Sequence, residues 1–480
     1  MTELPPAASA RAARAQLIGF GALGLLGYFG MVLTGTRLGP LPDPPRGMWW
    51  FSLPSGHLGT FRVLFYLCAA MVVGGWLGVG LLAQRKRLGV RAAVLLTGVW
   101  SSPLLIGPPI FSKDLYSYIG QGLVAHAGFD TYTRAPAVLG NGPLLESIAS
   151  VWRHTPAPYG PLFVEIARAA SSSVQGSIVS QVLVMRATEV AGMALLVVFL
   201  PRLAACLGAD RPLSLWLGVM CPLVLLSFMA SGHNDCLMLG LLVAGVALHM
   251  EGRRLQGLVV CSLAALIKAP AAAAIVFLAV DELRRPRYAL RKWVVVLEAA
   301  GIAIGCAVVV TVASGLGWGW LRPSNLMTAA DLRIDATPSV SVGLAFSRVL
   351  HTPAAGTITT VQSIAGLFVA VGFVWLVFRF RHANLVRMLA IALALVVLAG
   401  PTLWPWYLTW ALVLLAATSA QRSRVLGFVG ALAMFLAGPV GTPQLSGYSY
   451  WPVALATLGA CVWLATGGRW RTVMLEPKAS

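Results

Sequence analysis

What this chain has least of is charge, and acid above all. It carries 16 Asp and Glu against 35 Lys and Arg in 480 residues, with 11% of positions charged and 58% hydrophobic. A soluble protein of this length could not hide so much apolar side chain, so the soluble globular class is excluded. Cysteine is sparse. Seven residues (Cys68, Cys206, Cys221, Cys236, Cys261, Cys306 and Cys461) all lie in or beside apolar runs, and none forms a Cys-x-x-Cys pair. The long polar loops contain none, which excludes a disulfide frame and a zinc site and leaves them as small buried apolar side chains. No glycine-rich phosphate loop follows a strand, so nucleotide-binding machinery of that kind is absent. No internal repeat and no separate soluble domain is visible.

What is present, from end to end, is a succession of apolar segments of the ~17–25 residues that cross a bilayer. The chain reads as an all-α polytopic membrane protein with about 12–14 transmembrane helices and external interfacial helices. It is expected to form a single multi-span domain over residues 1–480. The Lys and Arg residues cluster between the apolar runs: Arg85–Lys86–Arg87, Arg253–Arg254, Arg284–Arg285–Arg287, Arg379–Arg381, Arg422–Arg424 and Arg469–Arg471. This is the positive-inside signature of cytoplasmic loops. No basic face with interleaved aromatics accompanies it, so nucleic acid is not a partner and membrane lipids are.

Counting spans from a cytoplasmic tail bearing Arg11 and Arg14 gives the sidedness. The first run has no persuasive cleavage site before Gly35 and is read as a retained span. It exits into a loop holding Asp43, Trp49 and Trp50. A span from about Thr60 to Leu82 returns, and a third, about Ala92 to Pro109, delivers Asp114 to the outer face. Residues from about 111 to 176 stay outside, as does a second loop from about 315 to 355, and these form the active-site face. Spans are expected near Ile178–Ala204, Leu213–Ala230, Cys236–Met250, Trp293–Ser314, Thr357–Phe378, Met388–Gly400, Trp406–Thr418, Val425–Gly438 and Trp451–Thr466, leaving both termini cytoplasmic. Gly257–Val280 is one span long yet has basic clusters on both sides. A hairpin broken at Lys268–Ala269–Pro270 keeps both flanks inside, and a single crossing is the alternative.

With acids so few, those on the outer side stand out: Asp43, Asp114, Asp130, Glu146, Glu165, Asp235, Asp331 and Asp335. Asp114 opens a helical pattern in which Asp114, Tyr118 and Gln121, at i, i+4 and i+7, share a face. With Lys113, Tyr116 and Tyr118 beside it, Asp114 suits a general base where a lipid head group would lie. Its alternative is a helix N-cap. His233–Asn234–Asp235 closes a span on the same side. It is either a second part of a site or a loop-end cap, and as a metal site two ligands two residues apart are weak. Trp404–Pro405–Trp406–Tyr407 can stack sugars or belong to the aromatic belt. Arg186 and Glu189, at i, i+3 within a span, form a neutralising pair or meet a lipid carrier. Lys268 at the proposed break, or one of Arg134, Arg153, Arg168, Arg322 and Arg333 outside, is available to a phosphate.

FSKDLYSYIGQG, then GFDTY, PYGPL, SGHNDCLMLGLLVAG, LIKAP and PTLWPWYLTW resemble, in order, motifs of the polyprenol-phosphate-mannose-dependent α-1,6-mannosyltransferases of actinobacteria. These GT-C enzymes build the mannan backbone of lipomannan and lipoarabinomannan. The resemblance implies a GT-C-like bundle, an extracytoplasmic active site, a β-mannosyl phosphopolyprenol donor, a lipid-anchored mannan acceptor and inversion to an α-linkage. It places the catalytic acid at Asp114. The neighbour is Lys113 and not a second acid, which argues against a metal held by an acid pair, and no cofactor is expected. The substrate-binding candidates are Lys113, Tyr116, Tyr118, Gln121, Asp130, Tyr132, Tyr159, His233, Asn234, Asp235, Lys268, Trp404, Trp406 and Tyr407. The rival readings are a GT-C enzyme forming an α-1,2-mannosyl or arabinosyl linkage, and a flippase or transporter for a lipid-linked sugar. A transporter predicts midplane charges and an inverted repeat.

Overall fold

The computed structural model describes residues 6–38, 56–174, 177–285, 292–322, 337–379, 385–418 and 455. Asp43, Trp49, Trp50, Arg287, Asp331, Arg333, Asp335, Arg381 and, but for Leu455, everything predicted from Arg422 onward, the last two spans among it, lie outside them. All regular structure among the described residues is helical. Five helices are long and apolar enough to cross a membrane: Arg11–Leu38, Leu58–Gln84, Ile178–Cys206, Lys292–Ser314 and Ala354–Arg379. A bent pair, Arg211–Gly218 with Pro222–Ala230, makes a sixth, and six shorter apolar helices accompany them. This is a polytopic all-α membrane protein.

The chain folds as two compact units. The larger takes in Met1–Thr328, Leu376–Ala394 and Pro405–Thr442, the smaller Ala329–Trp375, Leu395–Trp404 and Pro443–Ser480. In the larger unit α1 (Pro6–Leu38) packs along α2 (Leu58–Gln84), and α3 (Val90–Ile106) packs on α1. The chain then enters α4 (Asp114–His126), which lies on α5 (Pro161–Ser172). Next come α6 (Ile178–Met185) and α7 (Ala187–Cys206), interrupted at Arg186.

The stretch expected as a span over Leu213–Ala230 is bent by 53° between α8 (Arg211–Gly218) and Pro222–Ala230. Pro222 has no N–H and its ring disfavours helical backbone at Cys221, so the ladder cannot run through. α8 is stapled to α2 by a reciprocal pair. Trp76 Nε1–H donates to the Trp216 carbonyl at 3.1 Å, Trp216 Nε1–H donates to the Trp76 carbonyl at 2.8 Å, and the rings stack 4.9 Å apart.

α9 (Asp235–Met250) is buried along nearly its whole length, between α7 and α10 (Arg254–Ala265). It is the central helix of this unit. Its opposite is α12 (Lys292–Ser314), which leaves Val296, Leu297, Ile304, Val309 and Val312 at least half exposed and so offers apolar surface suited to lipid. Between them α10 ends at Ala265 and α11 (Ala272–Leu283) begins at Ala272. The predicted break at Lys268–Ala269–Pro270 is therefore present. Each half is 12 residues, ~18 Å by helical rise, which is too short to span alone.

The smaller unit holds α13 (Pro338–Leu350) and most of α14 (Ala354–Arg379). The turn from Gly400 to Leu403 is fastened within it: Leu403 N–H donates to Thr337 Oγ1 at 3.0 Å, Ser339 Oγ to the Gly400 carbonyl at 3.2 Å, and Gln362 Nε2 to the Pro401 carbonyl at 3.3 Å. α15 (Leu385–Ala399) leads to that turn, and α16 (Leu408–Ala416) returns to pack on α8.

Candidate active site

Two helix ends meet at the site, and one cation gathers them. α3 ends at Ile106, and its Leu104 carbonyl faces Pro108 four residues on, which has no N–H to give. Arg186 takes that carbonyl at 2.6 Å and the Gly107 carbonyl at 3.1 Å. The same guanidinium donates to the carbonyl of Met229 and, at 3.4 Å, to that of Ala230, the end of the Pro222–Ala230 helix. The two strands of chain leaving these ends are then laced together. Ile110 N–H donates to the Ala230 carbonyl at 3.2 Å, and Ser231 Oγ donates to the Ile110 carbonyl at 3.0 Å. Arg186 is therefore spent on carbonyls, and among the described residues no ion pair joins it to Glu189, which accepts from the Thr188 hydroxyl at 2.9 Å.

From the first end the chain turns through Phe111, whose φ of 72° is rare for an aromatic residue, and starts α4 at Asp114. Strain of this kind costs about 1–3 kcal/mol and persists where the surroundings over-determine it. The N-cap position is Lys113, and the Asp114 N–H is met by Ser112 Oγ at 3.1 Å. Asp114 is thus the first helical residue and not the cap.

From the second end, Gly232 at φ 76° lets the chain reverse against Leu115 and deliver His233. His233 Nδ1 lies 3.3 Å from Asp114 Oδ2, and its ring stacks on Trp406 at 3.9 Å and 18°. Next along each segment, the Tyr118 hydroxyl donates to Asn234 Oδ1 at 3.4 Å. Tyr118 also meets Tyr159 edge-on at 5.3 Å and Phe163 at 4.9 Å. Burial first holds both phenols well above the usual tyrosine pKa of 10, reinforced at Tyr118 by Tyr159 and then Asp114, and at Tyr159 by Asp114 and then Tyr407. Both are neutral hydroxyls at physiological pH.

The second acid of the site is neutralised. Asp235, fully buried, takes both oxygens to Lys268 Nζ at 3.0 and 2.9 Å and accepts from Trp410 Nε1–H at 2.6 Å. The ammonium lies over the rings of Tyr407 at 4.7 Å and Trp410 at 5.5 Å. Lys268 reaches this point because the PYGPL turn holds the break. Gly160 N–H donates to the Ile267 carbonyl at 3.2 Å, and a Cβ on Gly160 would stand 2.1 Å from the Leu266 carbonyl oxygen. Hence glycine, in a motif otherwise built of Pro and Tyr.

Residues 21–284 match the family described as Alpha-(1->6)-mannopyranosyltransferase, N-terminal domain, and residues 336–467 match the MptB C-terminal domain. The chain belongs to the α-(1→6)-mannopyranosyltransferase family. It is 32% identical to Alpha-(1->6)-mannopyranosyltransferase A of Mycobacterium tuberculosis, over 90% of this chain and 87% of that protein. Two proteins of Corynebacterium glutamicum are similar as well. Alpha-(1->6)-mannopyranosyltransferase A is 28% identical over 86% of this chain and 90% of its own length, and B is 29% identical over 89% and 77%. No solved structure matches.

In this member of the α-(1→6)-mannopyranosyltransferase family the structure brings Asp114, Tyr118, Tyr159, His233, Asn234, Asp235, Lys268, Trp406 and Tyr407 into one region of the larger unit. Gln121 lies on the α4 face that carries Asp114 and Tyr118, buried, with neither amide atom hydrogen-bonded. Tyr116 is enclosed on the same helix, and Lys113 adjoins Asp114. Asp130 is spent locally, accepting from the Tyr132 N–H at 2.9 Å in a turn, while the Tyr132 ring packs where a Cβ on Gly319 would fall. Trp404 belongs to the smaller unit. His233 and Asp235, considered as a ligand pair, face different partners.

The sequence reading missed Trp410, which fixes Asp235, and read Arg186 as a partner of Glu189 or of a lipid carrier where it builds the floor. An indole one turn beyond Trp406 and a Pro four residues after Leu104 were the available signals. A further polar cluster lies at the far end of α9, ~21 Å along the helix from Asp235. There His249 Nε2 stands 2.9 Å from Asp281 Oδ2 and 3.9 Å from Glu282 Oε1, and Arg285 bridges the two acids at 3.3 and 3.2 Å.

Proposed function

We propose that this chain is a membrane α-1,6-mannosyltransferase. It moves mannose from a polyprenyl-phosphate-linked donor to the 6-hydroxyl of a lipid-anchored mannan on the extracytoplasmic face, with inversion. Family membership supports mannosyl transfer, the order of charges along the chain supports the face, and the motif resemblance supports the donor. The observation that carries the reading is the contrast between two acids. Asp235 is enclosed and locked to Lys268, whereas the Asp114 side chain keeps 14% of its surface open beside His233. Asp114 is the carboxylate left able to take a proton.

In the reaction the acceptor O6 attacks the anomeric carbon from the side opposite the phosphate. The O6–H proton passes to Asp114, the C1–O bond to the phosphate breaks, and polyprenyl phosphate leaves. The carrier is already an activated leaving group, so the protein's tasks are a positioned base, a cation and binding surfaces. Lys113, next to the base, is the cation assigned to the departing phosphate. The unpartnered amide of Gln121 and the unpartnered Nδ2 of Asn234 are assigned to sugar hydroxyls, since buried donors without partners cost about 1–3 kcal/mol each until something meets them. Trp406, stacked on His233, is assigned to the acceptor path. The few charges at membrane depth are engaged, Arg186 by carbonyls and Lys268 by Asp235, which disfavours a transporter.

The test is transfer in membranes from mannosyl phosphopolyprenol to a short α-1,6-mannoside, comparing wild type with Asp114→Asn. The variant should express normally and lose about a hundredfold or more in rate. Near-wild-type transfer by Asp114→Asn would end the base assignment, and equal use of a nucleotide-linked mannose would end the donor assignment.

A further inference from the structure

We infer that His233 is a positioning residue for Asp114. It holds one carboxylate oxygen through Nδ1–H so that the other is presented to the incoming hydroxyl. The inference rests on the reading of Asp114 as the base and goes beyond it, because it takes His233 out of the set of substrate contacts.

The geometry favours this role over two others. His233 is 1% exposed and Asp114 14% exposed at the side chain, so the carboxylate stands between the imidazole and any substrate. An imidazole that acted as the base itself would have to present Nε2 to the hydroxyl. Neither ring nitrogen makes a hydrogen bond in this geometry, but Nδ1 alone lies beside a carboxylate, at 3.3 Å, while Nε2 is enclosed. Direct contact with a sugar is disfavoured by the same enclosure, since one ring face lies on Trp406 at 3.9 Å. The ring's place is set from within the protein: by the Trp406 stack, the Gly232 turn at φ 76° and the Ser231 hydroxyl on the Ile110 carbonyl at 3.0 Å.

At an Nδ1···Oδ2 separation of 3.3 Å the two groups are within reach but not aligned for a hydrogen bond. Catalytic hydrogen bonds are commonly long before substrate binds and shorten in the reacting complex. The consequence for rate is one of orientation. A carboxylate free to rotate spends part of its time with neither lone pair toward O6, and misplacement by about 1 Å costs on the order of a hundredfold.

The experiment measures kcat and KM of His233→Ala, His233→Asn and His233→Gln in membranes, with the same donor and acceptor, beside Asp114→Asn and the double variant Asp114→Asn/His233→Ala. An asparagine amide nitrogen falls near the place of Nδ1, and a glutamine amide nitrogen near that of Nε2. The expectation is a kcat lower by about ten- to a hundredfold in His233→Ala and His233→Gln with both KM values nearly unchanged, and recovery of most of that loss in His233→Asn. The double variant should be no slower than Asp114→Asn, because a residue acting through Asp114 has nothing left to act on.

A raised KM at unchanged kcat, equal behaviour of the Asn and Gln variants, or losses that multiply in the double variant would overturn the inference. Should His233→Ala fail to reach the membrane, the comparison of Asn with Gln decides the matter alone. The two readings fail separately. If Asp114→Asn is inactive and the His233 variants keep wild-type kcat, the positioning role fails and the base stands. If Asp114→Asn is active, both fall.

Discussion

Replacing Arg186 by Met removes the guanidinium that gathers the carbonyls of Leu104, Gly107, Met229 and Ala230, in a place where the residue is 2% exposed. Ala230 keeps the Ile110 N–H. Leu104 has Pro108 where its helical donor would be, and Gly107 lies beyond the helix end. At least two carbonyls are thus left in an apolar interior, at about 1–3 kcal/mol each, so the loss is about 2–6 kcal/mol. That is a large part of the ~5–15 kcal/mol that holds a typical fold. Arg186→Lys should fall between, since one ammonium cannot reach across two helix ends as a planar fork does. The assay is the apparent melting temperature of detergent-solubilised protein by size-exclusion fluorescence, with transfer activity measured on the surviving fraction. Both should fall, because Asp114 follows Gly107 by seven residues and His233 follows Ala230 by three. An unchanged melting temperature with a raised donor KM would refute the reasoning and give Arg186 to the lipid carrier.

Two further substitutions probe the other half of the site. Gly160→Ala puts a methyl 2.1 Å from the Leu266 carbonyl oxygen, where contacts shorter than 3.0 Å do not persist, so the break must shift by about an ångström and carry Lys268 with it. Transfer should fall by about tenfold or more at near-normal expression; a wild-type rate would show that the turn does not position the break. Lys268→Met leaves Asp235 buried with Trp410 alone and should cost about 3–5 kcal/mol in thermal stability, part of it recovered by adding Asp235→Asn. A stable single variant, or a double variant less stable than the single, would count against the pair as described.

Much of this was legible in the chain. The membrane class follows from apolar segments too many and too long for a soluble core. The break at Lys268 follows from Pro270, which can donate nothing to a helix, together with basic clusters on both flanks. Asp114, Tyr118 and Gln121 share a face because helical spacing is local. The bend at Cys221–Pro222 was equally local and went unread, since the apolar run continues across it without a change in composition. Arg186 and Glu189 looked like a pair from their spacing, yet carbonyls 82 and 43 positions away in sequence compete for the guanidinium and win.

The sequence by itself determined the class, the helical faces and the small set of acids and aromatics from which a site could be made, because these depend on composition and on neighbours within a turn or two. It put Asp114 forward as the base, but nothing local showed how Asp235 is engaged. Each is an acid beginning a helix, and each has tyrosine or tryptophan in an associated motif. The tertiary structure separated them through contacts with no local period: Lys268, 33 residues on, and Trp410, 175 residues on, close over Asp235. Asp114 is left to His233 and to the opening. A buried carboxylate must be paired while a partly open one need not be, and that difference of burial is what supports the roles proposed for them.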